Sequence, residues 1–188
     1  VDRALFDDRL SQRSGAYGSG VWRFKELVYP ELGVDGIVSR QEGNTNIYAH
    51  KTLNEYTGLK KIAVKHEGEN PSGSFKDRGM TVGVSEAVRL GATSVACAST
   101  GNTSASLASF AATSGMNCVV FIPEGMIAYG KLAQALSYGA TVLQVRGDFD
   151  AAMWLVQEAS AELGLYLLNS VNPWRIEGQK SIIFELIQ

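Results

Sequence analysis

The chain has 188 residues, 45% of them hydrophobic and 19% charged, with a formal charge of −2. That length holds one domain with a proper core or parts of two, and the near-neutral balance offers no basic surface to nucleic acid or to an anionic membrane. The two cysteines, Cys97 and Cys118, sit in apolar runs and form no C-x-x-C pair, which argues against a disulfide framework or a zinc site and points to a reducing compartment, the cytoplasm.

The first residues, Val1-Asp2-Arg3-Ala4-Leu5-Phe6-Asp7-Asp8, are too charged for a signal peptide, and no apolar run is long enough to span a bilayer. Residues 1–35 are mixed, with the aromatics Trp22, Phe24 and Tyr29; residues 21–27 read as a short helix ending near Pro30. Glu42-Gly43-Asn44-Thr45-Asn46 reads as a turn, residues 52–56 as a helix stopping near Gly58, and residues 61–65 as an alternating strand. From there a regular rhythm sets in. Ser74 opens a helix with Met80, Val84, Ala87 and Val88 on one face and Gly91 as its stop. A strand at 94–98 follows. A helix over 103–114 carries Leu107, Phe110 and Ala111 on one face and ends at Gly115; then come a strand at 118–122, a helix over 128–138 and a strand at 141–145. Asp148 caps a helix to about residue 163 with Ala152, Val156, Ala159 and Leu163 aligned, and a strand at 165–168 precedes a last helix near Ile176. Strands alternating with helices of crossover length give an α/β fold: an open, mostly parallel twisted sheet with helices on both faces.

Ligands bind such sheets outside the carboxyl ends of the strands, and three loops at that edge are rich in small polar residues. The first contains Asn70-Pro71-Ser72-Gly73-Ser74-Phe75-Lys76-Asp77-Arg78-Gly79. Ser74 and Asp77 have capping-box-like spacing, which puts Lys76 in the first turn, where free N–H groups and the helix dipole disfavour a positive charge. With burial, such an amine loses its proton more easily, as a Schiff-base lysine must. Asp77 either opposes this as a neighbouring charge or is only the cap, and the residues alone leave Lys76 open to being an ordinary surface lysine. The second loop, Ser99-Thr100-Gly101-Asn102-Thr103, joins a strand to a helix start and suits a carboxylate, unless Asn102 or Thr103 simply caps the helix. The third, Asn169-Ser170-Val171-Asn172-Pro173-Trp174-Arg175, offers amides, a hydroxyl and a guanidinium suited to phosphate or carboxylate, or else a solvated arginine behind a packed turn.

Other motifs fail. Gly125-Met126-Ile127-Ala128-Tyr129-Gly130-Lys131-Leu132 misses a P-loop because leucine replaces the Mg²⁺-binding hydroxyl. No G-x-G-x-x-G, S-x-x-K or G-x-S-x-G is present. His50 and His66 are the only histidines and do not make a metal site.

The first loop, together with Ser99-Thr100-Gly101-Asn102-Thr103-Ser104 and Asn172-Pro173-Trp174-Arg175, resembles the threonine synthase family, fold-type II pyridoxal-phosphate enzymes related to tryptophan synthase β. Glu42-Gly43-Asn44-Thr45 and Gly130-Lys131-Leu132-Ala133-Gln134 add to the likeness, which runs from about Phe6 to Gln188. The resemblance implies that Lys76 holds pyridoxal 5'-phosphate as a Schiff base and shuttles protons, that Asn102 bonds the cofactor's ring hydroxyl, and that Phe75 packs near the ring. Ser99, Thr100 and Thr103 would hold the substrate carboxylate, and Asn169, Ser170 and Arg175 the phosphate of O-phosphohomoserine, which loses phosphate and gains water to become threonine. It implies a homodimer with no nucleic-acid or membrane partner. It also implies a small α/β domain over 71–168 and a larger domain of which 1–70 and 169–188 are parts.

Two features set the chain apart from the family. Asn46 stands where proline often follows E-G-N-T, and the glycine-rich loop for the cofactor phosphate and the hydroxyl at the pyridine nitrogen lie further along in the family. With Val1 at one end and the apolar residues 181–188 at the other, the expectation is a portion of a longer protein, inactive alone. Cysteate synthase, a threonine or serine dehydratase, and a non-catalytic truncated homologue remain as alternatives.

Overall fold

In the computed structural model, residues 3–126 and 128–188 are described. The N-terminal part contains α1 (Arg3–Arg9), a 3-10 turn at Trp22–Phe24 running into α2 (Lys25–Val28), and an antiparallel ribbon of β1 (Ile47–Tyr48) and β2 (Val64–Lys65) with α3 (Lys51–Thr57) between them. The expected strand at 61–65 therefore shrinks to its last two residues. The alternating part follows as α4 (Lys76–Arg89), β3 (Ser94–Ala98), α5 (Asn102–Ser114), β4 (Asn117–Pro123), α6 (Tyr129–Ser137), β5 (Thr141–Val145), α7 (Phe149–Leu163) and β6 (Tyr166–Leu167), closed by α8 (Pro173–Gln179) and α9 (Ser181–Ile187). The four strands β3 to β6 form one parallel sheet in the order β5-β4-β3-β6.

Period-two alternation divides the core between the two faces of this sheet. Val95, Cys97, Cys118, Val120 and Ile122 cluster with Met80 and Val84 of α4, Leu107 and Phe110 of α5 and Ala135 of α6. Ala96, Ala98 and Phe121 cluster with Ala152 and Val156 of α7. Leu107 and Phe110 are fully buried, and burying such a side chain contributes about 1.5–3 kcal/mol. A separate aromatic cluster of Phe6, Trp22, Phe24, Val28 and Tyr29 packs on Val82 of α4, joined by Trp174 and Phe184. Trp22 Nε1 donates to Thr81 Oγ1 at 2.7 Å, and Thr81 donates on to the Val38 carbonyl at 2.6 Å.

Two residues expected on buried helix faces are exposed. Val88 is 38% exposed because it lies about 100° round the helix from Ala87. Leu163 is 71% exposed because α7, at about 22 Å, outruns strands of about 17 Å. The last helical stretch begins at Pro173, three residues before Ile176. Asn172 caps it, accepting from the Trp174 N–H at 3.0 Å, and proline takes the first helical position. No helix among the described residues is long and apolar enough to cross a membrane.

α4 and α8 meet backbone to backbone. A Cβ on Gly178 would lie 2.0 Å from the Arg78 carbonyl oxygen, and one on Gly79 would lie 2.7 Å from the Arg175 carbonyl oxygen. This approach delivers α9 to a buried ionic group. Arg78, with a fully buried side chain, donates to both carboxylate oxygens of Glu67 and to both of Glu185, as well as to Ser181 and Thr45. Lys65 pairs with Glu185 Oε2 at 2.6 Å, and the Asn44 N–H donates to Oε1 at 2.7 Å. Burial pushes both carboxyls up, but the hydrogen bonds and charge of Arg78 more than offset this and hold each below its ordinary 4.5.

Arg78→Met strands those carboxylates in the interior and is expected to cost about 3–5 kcal/mol in urea unfolding. The wild-type pairing contributes fully above pH 4.5 and is lost as pH falls through the depressed values. In the variant burial is no longer offset by Arg78, so protonation stabilises it, and the gap between the two proteins narrows on acidification. A gap that stays constant with pH would disprove this account.

Candidate active site

β4 and β5 lie to one side of β3 and β6 to the other, so the chain reverses direction across the sheet between β3 and β6. The crevice outside the carboxyl ends of two such strands is where open α/β sheets bind ligands. A cavity of about 500 Å³ sits there, lined by residues 98–103 after β3, Asn169 and Ser170 after β6, Lys76, and Phe149 and Met153 of α7. Topology alone therefore brings together Lys76, Ser99, Thr100, Asn102, Thr103, Asn169 and Ser170. Arg175 and Phe75 are not among the lining residues.

Lys76 is the first residue of α4. The expected capping box is not formed: Phe75 occupies the N-cap position without a side-chain bond, and Ser74 Oγ accepts from the Lys76 N–H at 3.3 Å. Asp77 turns the other way and is fully buried. It accepts from the Ser72 N–H at 2.6 Å, from Ser72 Oγ at 2.5 Å and from Ser106 Oγ at 2.5 Å. A buried carboxylate needs its lone pairs satisfied, and the positive φ of Gly73 folds Ser72 back to reach it. The Lys76 ammonium is left with no ion-pair partner among the described residues and lies 4.3 Å from the centre of the Phe75 ring. Burial lowers its pKa, and the Arg175 guanidinium lowers it further.

The second loop presents an open helix end. α5 begins after Gly101, and no side chain caps it. Ser99 Oγ accepts from the Gly101 N–H at 3.2 Å and Ser104 Oγ donates to the Gly101 carbonyl at 2.7 Å, which stiffens the turn. Among the described residues nothing pairs with the Asn102 amide or with the hydroxyls of Thr100 and Thr103, so simple capping by Asn102 or Thr103 is not what the loop does. Free N–H groups at the start of a 13-residue helix suit an anion.

The third loop is split. Asn169 is 3% exposed; its side-chain amide accepts from the Ala98 N–H at 2.9 Å and donates to the Ala98 carbonyl at 3.0 Å, prolonging the β3–β6 ladder as a peptide unit would. Ser170 is exposed at the cavity wall. Arg175 is 1% exposed and donates to the Leu168 carbonyl at 3.2 Å, while its Nε has no partner.

Sequence reasoning missed two groups. Phe149 and Met153 form a wall of the cavity; the sheet-edge argument, applied to β5 as well, would have found them. Lys131 Nζ, inside the stretch with P-loop-like spacing, and Gln134 Nε2, two residues beyond it, both donate to the Ser72 carbonyl, at 2.9 and 3.2 Å. Ile127 of that stretch lies outside the described residues. His50 caps α3, accepting from the Thr52 N–H at 3.2 Å, and His66 faces Glu69 at 3.7 Å.

A family model described as "Pyridoxal-phosphate dependent enzyme" matches residues 38–188. The chain is 55% identical over 167 residues to threonine synthase of Methanocaldococcus jannaschii, covering 89% of this chain and 41% of that protein. It is 44% identical over 192 residues to the chloroplastic threonine synthase 2 of Arabidopsis thaliana, covering 99% and 37%. Among solved structures, maize serine racemase superposes with a TM-score of 0.71 at 20% identity, over 94% of this chain and 50% of that one. Diaminopropionate ammonia lyase of Escherichia coli in apo form gives 0.71 at 19% identity, over 80% and 48%. These two share the fold with this chain. The chain spans less than half the length of the curated relatives it matches.

The lowered amine gives a direct test. Under limiting acylation with peptide mapping, Lys76 is expected to react at a lower pH than Lys51, whose side chain is 87% exposed. Equal pH midpoints would remove Lys76 as a reactive amine.

Proposed function

The chain belongs to the family of pyridoxal-phosphate dependent enzymes, and from that premise we propose that it carries the lysine half of a threonine synthase site, acting on O-phosphohomoserine. The donor set fits the cofactor. An unpaired primary amine of lowered pKa suits its aldehyde, a free amide at Asn102 suits its ring hydroxyl, and Phe75 stands beside the amine. Lys76 would hold the cofactor through its aldehyde carbon. When bound, pyridoxal phosphate supplies an electron sink that acidifies the C–H bonds of an amino-acid substrate.

The protein's own part is to bind, orient and move protons. The open start of α5, with Ser99, Thr100 and Thr103, takes the substrate carboxylate and fixes its Cα toward Lys76. Lys76 Nζ, once free of the cofactor, carries protons between Cα and Cβ, a task that its lowered pKa suits. Ser170 and the second amide hydrogen of Asn169 are available to a phosphate at the far wall. Arg175 stands behind them as a buried cation without a carboxylate, which favours an anion nearby. The apolar wall of Phe149 and Met153 limits water on that side. The observation that carries the reading is the convergence of an unpaired lysine and an uncapped helix start on one cavity.

We assign residues 71–168 to a small α/β domain and residues 1–70 and 169–188 to a larger one, with α4 as the wall they share. The aromatic cluster on Val82 and the sheet cluster on Met80 and Val84 support this. The free thiols of Cys97 and Cys118 support a cytoplasmic setting, and the family likeness supports a homodimer.

In the whole protein, phosphate release from O-phosphohomoserine should exceed release from O-phosphoserine, and Lys76→Ala should abolish it. Asn102→Ala should weaken cofactor binding. Arg175→Ala should raise KM for the phosphorylated substrate about 10-fold, the loss of a buried positive charge behind the phosphate, while leaving any threonine dehydration far less affected. An equal loss with both substrates would favour the dehydratase reading.

A further inference from the structure

A carboxylate next in sequence to a reactive lysine is a hazard, because an anion beside the amine would hold its proton on. Asp77 avoids this by facing away. It is fully buried, and its three donors, the Ser72 N–H, Ser72 Oγ and Ser106 Oγ, are all neutral. Ser106 sits on α5, one turn beyond the open helix start, so the carboxylate ties the lysine loop to the element that frames the opposite side of the cavity. The tie is completed from a third side. Lys131 and Gln134 of α6 both donate to the Ser72 carbonyl. Ser72 is thereby held at its N–H and its hydroxyl by α4 and at its carbonyl by α6, while α5 grips the same Asp77 carboxylate through Ser106.

We propose that Asp77 is the positioning residue for Lys76: by gripping Ser72 and Ser106 it locks the loop at 70–75 against α5 and keeps its own charge off the amine. The assignment rests on the reading of Lys76 as the cofactor-binding lysine. Among the described residues, the charged group that acts on the amine is then Arg175 of α8, with Lys131 spent on Ser72 and Gln134. The lock and a through-space charge make opposite predictions. If Asp77 acts as a lock, removing it loosens the loop, lets water reach Lys76 and returns the amine toward ordinary lysine. If it acts as a nearby negative charge, removing it lowers the amine further.

The test is the rate of Lys76 acylation near neutral pH in the whole protein without cofactor, read by peptide mapping against Lys51 in the same sample. Asp77→Ala is expected to slow Lys76 about tenfold, equivalent to one pKa unit. Asp77→Asn, which keeps an acceptor for the Ser72 N–H, is expected to stay within about twofold of wild type. Ser106→Ala, which removes one donor and leaves α4 intact, should slow Lys76 about threefold, roughly half a pKa unit, and covers the case in which Asp77→Ala does not fold. Faster acylation in both Asp77 variants, or no change in Ser106→Ala, would overturn the proposal. Borohydride reduction of the wild-type protein with pyridoxal phosphate reads the other premise separately. If Lys76 is not labelled, the cofactor reading fails while the acylation result still stands on its own.

Discussion

A guanidinium taken fully out of water must have its charge and its donors matched, or it costs several kcal/mol. Arg78 meets that condition with two carboxylates and two hydroxyls, and Lys65, paired with Glu185, balances the second negative charge. Its partners come from the E-G-N-T turn, from the 3-10 turn Glu67–Glu69 before the lysine loop, and from α9. Because Arg78 is two residues after Lys76, fixing it fixes the first turn of α4, and with it the direction from which the amine enters the cavity. The pair of glycines at 79 and 178 serves the same end, since any side chain there would push α8 and α9 away from the charge they match.

The site then follows from topology. The sheet reverses between β3 and β6, and the loops after those strands must part at that point. Asn169 closes the ladder there with a side chain in place of a peptide unit, which lets the backbone leave for α8 while β3 stays paired. What remains open is the start of α5, with its N–H groups and the Asn102 amide unspent. Satisfied polar groups such as Asp77 and Asn169 build the frame, and the unspent ones at Thr100, Asn102 and Thr103 face the cavity. Arg175 is buried and partly unsatisfied, and adds its positive charge to the surroundings of Lys76.

Much of this was legible in the sequence, and the reasons are specific. The strands at 94–98 and 141–145 match residue for residue, because short apolar runs bounded by glycine have few other uses. The αL glycines at 115 and 164 marked helix ends as expected. The three polar loops at one sheet edge were readable from composition alone. The partner of Asp77 was not: Ser106 lies 29 residues away, and nothing local distinguishes it from other serines of α5. The local capping signal of Ser74 and Asp77 lost to that distant contact, because a buried carboxylate is satisfied better by three donors than by one. From the residues alone Arg175 is either an anion-binding or a solvated arginine, yet the tight crossing of α4 and α8 carries it inside.

The Arg78–Glu185 contact joins residues 107 apart in the sequence. A chain made from its N-terminus exposes Arg78 long before Glu185 exists, and until then the arginine is better off in water. The lysine helix therefore cannot seat in its final position while the ribosome is still working through the sheet. Contacts of such long range come late and slow the search for the native state. Lys76 is thus among the last parts of this chain to be set, and a nascent chain stalled short of α9 would carry it on a helix not yet anchored.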